Sequence, residues 1–211
     1  MNPWMHITSV ADTLVTLTAA ETIAVWLVAG RAWRMALWWS LLFTCGLALV
    51  AATKIAFIGW GIGINALDFT GMSGHAMRAT AVFPVIVYLV LQRSAATVRA
   101  SGVLLGTLIG VLVGVSRVAL HVHSVSEAVA GCAIGGAVSL GFIWMSRGLP
   151  RPYLDRRLIT LGMLALLPTA YANPASTNQW MNAVALYLSG HDAPYERRTG
   201  RPISSDEHHS P

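Results

Sequence analysis

Five apolar runs, near 10–29, 35–58, 76–91, 102–121 and 124–145, most constrain what this chain can fold into. A helix crosses a hydrocarbon core of about 30 Å with roughly 20 residues, so each run reads as a membrane span. A sixth run, 158–171, is shorter and contains Pro168, which fits a tilted span, a short span or a re-entrant segment. The 55% hydrophobic and 11% charged composition, with mean hydropathy +0.60, makes lipid rather than water the solvent. The expected fold is all-α: a polytopic transmembrane helical bundle of about six spans. Residues 1–171 form its membrane domain and 172–211 a tail. No basic residue precedes the first run and Asp12 lies inside it, so that run reads as a retained span rather than a cleaved leader. Cys45 and Cys132 fall within spans and offer neither a disulfide framework nor a paired-cysteine metal motif.

Arginine placement sets the expected orientation. Arg31, Arg34, Arg93, Arg99, Arg147, Arg151, Arg156 and Arg157 follow the first, third and fifth spans, and all fall on one side if the spans alternate. Short loops rich in Lys and Arg stay in the cytoplasm, so the N-terminal stretch is expected outside. The net charge of +5 then reflects topology, and nucleic-acid binding is not expected from a chain without a solvated basic face. A multi-pass protein of a bacterial-type inner membrane follows, with an active site facing the periplasm or exterior.

Two polar clusters share that outer side: "GWGIGINALDFTGMSGH", 59–75, and "GVSRVALHVHSVSEAVAG", 114–131. Charged groups are costly inside a membrane helix, so they need a wet location or a task. His123 and Glu127 are four apart and share a helical face, where the carboxylate can orient the imidazole as a nucleophile. Arg117, expected just before a helix break, can clamp two phosphate oxygens. Ser73, Gly74 and His75 precede an apolar helix whose free amides suit an anion, and His75 can protonate a leaving oxygen. These are the parts of metal-independent phosphoryl transfer.

The pattern resembles the type-2 phosphatidic acid phosphatase (lipid phosphate phosphatase) superfamily, which also includes vanadium haloperoxidases. Ser116, Arg117, His123 and Glu127 match its SRxxxxxHxxxD block, with Glu for the final Asp. "MSGH" matches its PSGH block, with Met72 for Pro. Of its KxxxxxxRP block only Lys54, the sole lysine, matches; Gly61 and Ile62 stand where Arg and Pro are expected. The resemblance implies a phosphohistidine on His123, His75 as general acid and Glu127 supporting the nucleophile. Lys54, Ser73, Gly74, Arg117 and Ser116 would lie around the phosphate, and neither cofactor nor metal is called for. Arg78, three residues after His75, is the foremost candidate to replace the absent Arg, with interfacial snorkelling as its competing role.

Other residues receive structural expectations. His121 falls outside the pattern and reads as a helix-end or pocket-lining histidine. Asp12 should lie near the outer face and answer a site cation, while Glu21 should pair inside the bundle. Gly131 and Gly135 suit close helix packing. The tryptophans mostly lie near predicted interfaces. In the tail, Met181, Val184, Ala185 and Leu188 would share the apolar face of a short helix that lies on the membrane or covers the site, ahead of a disordered end. His191, His208 and His209 make a poor metal site. The function expected is a phosphoric monoester or diphosphate hydrolase acting on a membrane lipid phosphate. The alternatives are a lipid phosphotransferase using the same site, or a non-catalytic phosphate-binding membrane protein.

Overall fold

The structure, a computed structural model, describes Trp4 and residues 12–166, 177–191 and 193–195. Seven α-helices account for most of them: α1 (Thr13–Ala29), α2 (Trp33–Trp60), α3 (Gly74–Val90), α4 (Ala96–Ala119), α5 (Val125–Ser146), α6 (Arg156–Ala165) and α7 (Thr177–Ser189). No strand occurs among the described residues, so the fold is all-helical. α2, α4 and α5 are each long and apolar enough to cross a membrane, and α1 and α3 are shorter apolar helices. The protein is a helical membrane protein. α6, which begins just before the sixth run, is only ten residues long, about 15 Å, and the part of the run beyond 166 lies outside the described residues.

α3 is the central helix, packed chiefly against α4 and α5. Small residues make this possible. A Cβ on Gly131 would stand 2.5 Å from the Ser73 carbonyl, and one on Gly135 would stand 2.2 Å from the Met77 carbonyl, so only glycine lets α5 cross α3 so closely. Trp39 and Trp26 belong to the core rather than to an interface. Trp39 donates to the Ala20 carbonyl and stacks on Phe43, while Trp26 donates to the Leu158 carbonyl and fastens α6 to α1. Glu21 departs further from expectation: it is exposed on the outer face of α1 rather than paired within the bundle.

The two ends of the bundle differ. At one, Tyr153 N donates to the Gly30 carbonyl and Gln92 to that of Pro152. Arg99, Arg147 and Arg151 line one cleft there, and Arg31, Arg34 and Arg151 line another. At the other end meet the C-termini of α2 and α4 and the N-termini of α1, α3 and α5. The tail joins it through α7, which lies on α2 with Met181 and Ala185 buried. Leu188 is 57% exposed, so the packed face is rotated from the one periodicity gives. The expected disordered end, with His208 and His209, lies outside the described residues.

Candidate active site

The α4–α5 turn delivers His123. Leu120 caps α4, and His121 takes a left-handed conformation (φ 55°) that reverses the chain. The Arg117 carbonyl then accepts from Val122 N at 3.1 Å and His123 N at 3.3 Å. Thus the Arg117 backbone fixes the position of His123. His121 itself is exposed, in the helix-end role. α5 begins with a capping box: Ser124 Oγ accepts from Glu127 N, and the Glu127 carboxylate accepts from Ser124 N at 3.2 Å.

Glu127 is completely buried, and its two oxygens have separate partners. Oε2 meets His123 Nδ1 at 2.7 Å, and Oε1 accepts from Thr70 N at 2.8 Å and Thr70 Oγ1 at 2.6 Å. The burial is tolerable because the carboxylate is hydrogen-bonded on both sides. The extra methylene of Glu over Asp suits both duties, since the capping box takes Glu or Gln at this position. With Nδ1 held, the His123 ring turns Nε2 away from the dyad. Thr70 carries no motif signal, and sequence reasoning missed it.

The loop 61–73 is pinned to this assembly. Ser73 N donates to the Glu127 carbonyl at 3.0 Å, and Met72 N donates to Thr53 Oγ1 at 3.2 Å. Gly71 lies flat on Lys54, where a Cβ would stand 2.9 Å from the lysine Cγ. Ser73 N-caps α3, opening the amides of Gly74 and His75 towards the cluster. His75 Nε2 lies 3.9 Å from Oδ1 of Asp12, the N-cap of α1, and Asp12 is within electrostatic reach of the cations Arg78 and Arg117. Ser116 is buried and donates to the Val113 carbonyl of its own helix.

Lys54 joins two cavities. One, about 540 Å³, has Leu17, Leu47, Val50 and Ala51 among its walls and Lys54, His75 and Arg78 at its polar end. The other, about 430 Å³, is lined by Lys54, Thr70, Gly71 and His123. Met181 of α7 borders both, so the tail covers the site rather than lying apart from it. Lys54 is within electrostatic reach of Arg78, Arg117 and Glu127, and His75 of Arg78, Arg117, Lys54 and His123. Arg117 Nε is buried with no hydrogen-bond partner among the described residues. The structure therefore brings Lys54, Ser73, Gly74, His75, Arg78, Arg117, His123 and Glu127 to one end of the bundle. Lys54, Arg78 and two imidazoles line open space here, with Arg117 within electrostatic reach of His75, an arrangement suited to a multiply charged anion.

Comparison with known proteins adds to this geometry. The family profile of the PAP2 superfamily matches residues 63–151, which hold most of the loop, His75, His123, Arg117 and Glu127. A Klebsiella pneumoniae protein described as "Uncharacterized 22.5 kDa protein in cps region" is 33% identical over 199 residues, covering 92% of this chain and 95% of the relative. The chain belongs to the PAP2 superfamily. Phosphatase-type activity follows from that membership, in a membrane-embedded helical protein. No solved structure matches the chain. Lys54 and all of α1, α2 and α7 lie outside the profile, so the cavity walls they supply are not part of the matched region.

The superfamily's first block is replaced at its second cation. Gly61 is the C-cap of α2 in the left-handed conformation (φ 65°), and a Cβ there would stand 2.9 Å from the Tyr195 ring. Tyr195 is itself fixed, its N donating to the Ile58 carbonyl at 3.0 Å. The helix end and the docked tail occupy the place where an arginine stem would start.

Proposed function

We propose that this protein is a metal-independent phosphatase that hydrolyses a lipid phosphate or diphosphate through a phosphohistidine on His123. The observation that carries the reading is the Glu127–His123 dyad set across Lys54 from a cavity that is apolar in its walls and cationic at its end. An amphiphile with a phosphate head fits such a space: hydrocarbon along Leu17, Leu47 and Val50, phosphate at Lys54 and His75.

In the first step His123 Nε2 attacks phosphorus as the bond to the leaving oxygen breaks, and His75 gives that oxygen a proton. Glu127 holds Nδ1–H and stabilises the imidazolium character that develops. Lys54, Arg117 and the first amides of α3 neutralise charge on the non-bridging oxygens. In the second step water attacks the phosphohistidine from the side the leaving group vacated. His75 takes its proton as the bond between phosphorus and His123 Nε2 breaks, and orthophosphate departs. Residues 1–171 form the membrane domain in this reading, with about six spans. The arginine-lined end lies in the cytoplasm and the site opens to the exterior of an inner membrane, as the arginine clefts support.

The test offers purified protein in micelles a panel of a phosphatidic acid, a polyprenyl diphosphate, lipid A and glycerol phosphate, reading free phosphate and phosphorylated lipid. Release from a lipid and not from glycerol phosphate, its loss in His123→Ala, inhibition by vanadate and indifference to chelators are expected. An active His123→Ala enzyme, or chelator inactivation reversed by added metal, overturns the mechanism. Equal turnover of glycerol phosphate overturns the lipid class, and phosphate appearing on a second lipid in place of free phosphate assigns the phosphotransferase.

A further inference from the structure

Arg78 is only 8% exposed, although it sits in an apolar helix and has no place in the superfamily blocks. Its Nε donates to Thr16 Oγ1 at 3.0 Å and its Nη2 to Thr13 Oγ1 at 2.8 Å, both on the first turn of α1. The Thr16 hydroxyl proton is directed to the Asp12 carbonyl at 2.9 Å, which leaves its oxygen to accept from the guanidinium. Both partners are neutral. Among the described residues, the carboxylates within 4.0 Å of a basic group pair with histidines, Asp12 with His75 and Glu127 with His123, and none with Arg78. Asp12 is within electrostatic reach of Arg78 but does not touch it, and a guanidinium removed from water without a contacting counter-charge is held at a cost that an anion would relieve.

The side chain also points the right way. Arg78 turns back along α3 so that Nη1 lies 3.0 Å from where a Cβ would stand on Gly74, over the helix end whose amides open to the site. It lines the larger cavity with Lys54, Gly74 and His75. A snorkelling arginine would instead run outward to the headgroups. At Gly61, where the superfamily block carries its arginine, the helix end and the Tyr195 ring leave no room for one.

We propose that Arg78 is the phosphate-binding cation that stands in for the arginine missing from the first block, with Thr13 and Thr16 of α1 as its positioning residues. α1 then becomes part of the site although it lies outside the matched family region. The inference rests on the phosphoryl-transfer reading above, and its test separates the two.

Wild type, His123→Ala, Arg78→Gln, Arg78→Lys and a Thr13→Val/Thr16→Val double variant are compared for kcat/KM on the best lipid phosphate, vanadate inhibition constant and thermal midpoint in detergent. Arg78→Gln is expected to lower kcat/KM by about tenfold to a thousandfold, the scale of losing one electrostatic stabiliser, and to weaken vanadate inhibition with it. Arg78→Lys recovers part of both. The threonine double variant loses about threefold to tenfold, and adds nothing further when combined with Arg78→Gln, because the hydroxyls act through the guanidinium. A purely structural arginine moves the thermal midpoint and leaves vanadate affinity unchanged in the folded fraction; that outcome overturns the proposal. If Arg78→Gln does not fold, Arg78→Lys decides: unchanged kcat/KM and vanadate affinity reject the role. An inactive His123→Ala beside a fully active Arg78→Gln rejects only this inference, whereas an active His123→Ala rejects the reading beneath it.

Discussion

Replacing Glu127 with Gln preserves volume and asks what the buried charge does. In the wild type Oε1 faces the two donors of Thr70, while Oε2 faces His123 Nδ1 and Ser124 N. An amide has one accepting end. If its oxygen stays with Thr70, its NH2 faces His123 Nδ1 and makes that nitrogen the acceptor. The ring proton then moves to Nε2, the atom that attacks in the proposed mechanism. If the amide is reversed, NH2 meets Thr70 N–H; either arrangement leaves one backbone N–H without its acceptor, that of Ser124 in the first and that of Thr70 in the second, at a cost of about 1–3 kcal/mol. The first arrangement loses the nucleophilic tautomer, an effect of about ten-thousandfold in a triad histidine. That corresponds to about 5 kcal/mol of transition-state stabilisation. We predict that Glu127→Gln lowers kcat by about a thousandfold to ten-thousandfold, and that Glu127→Asp, which keeps the charge but loses reach, falls between it and wild type. Initial phosphate release is measured on protein first shown to be folded by its thermal transition. A Glu127→Gln enzyme within about threefold of wild type would refute the claim that the carboxylate sets the tautomer.

Two further predictions concern architecture. Gly135→Leu should yield little folded protein, because its Cβ would stand 2.2 Å from the Met77 carbonyl, whereas Gly136→Leu, with no atom within 4 Å of its Cβ position, should express and melt normally; equal behaviour of the two discounts the α3–α5 crossing. In a Cys45→Ala, Cys132→Ala background, single cysteines at the exposed Asn65 and Ala95 should react with an impermeant reagent from opposite sides of the membrane. Equal labelling on intact cells refutes the orientation.

The legible and illegible parts of the site divide along a physical line. Hydropathy announces apolar helices directly, because lipid demands a long unbroken run. The His123 and Glu127 pair is legible because helical spacing alone places it on one face. Thr70, Thr13 and Thr16 are illegible because a threonine in or beside an apolar helix ordinarily bonds to its own backbone, as Thr22 and Thr107 do here. Which face of α1 points inward is equally hidden, since a helix apolar all round has no stripe to read; Glu21 was misplaced for that reason. The tail gave a helix but not its rotation, because its docking is settled by partners far away in sequence. There Gly59 meets Ala185 and Ser189 on α7, and the Gly59 carbonyl lies 2.7 Å from His191 Nδ1.

The hydrogen bonds that join the 61–73 loop to Glu127 also impose a schedule. An α4–α5 hairpin newly threaded into the bilayer would already contain Arg117, His123 and Glu127, yet Thr70 and Ser73 reach the carboxylate and its backbone only after α2 and α3 have docked beside it. Until then the carboxylate lacks its Thr70 donors and the imidazole has no cavity to face. Activity is thus withheld from half-assembled chains, and the onset of turnover during biogenesis marks the moment at which the last helices have come together.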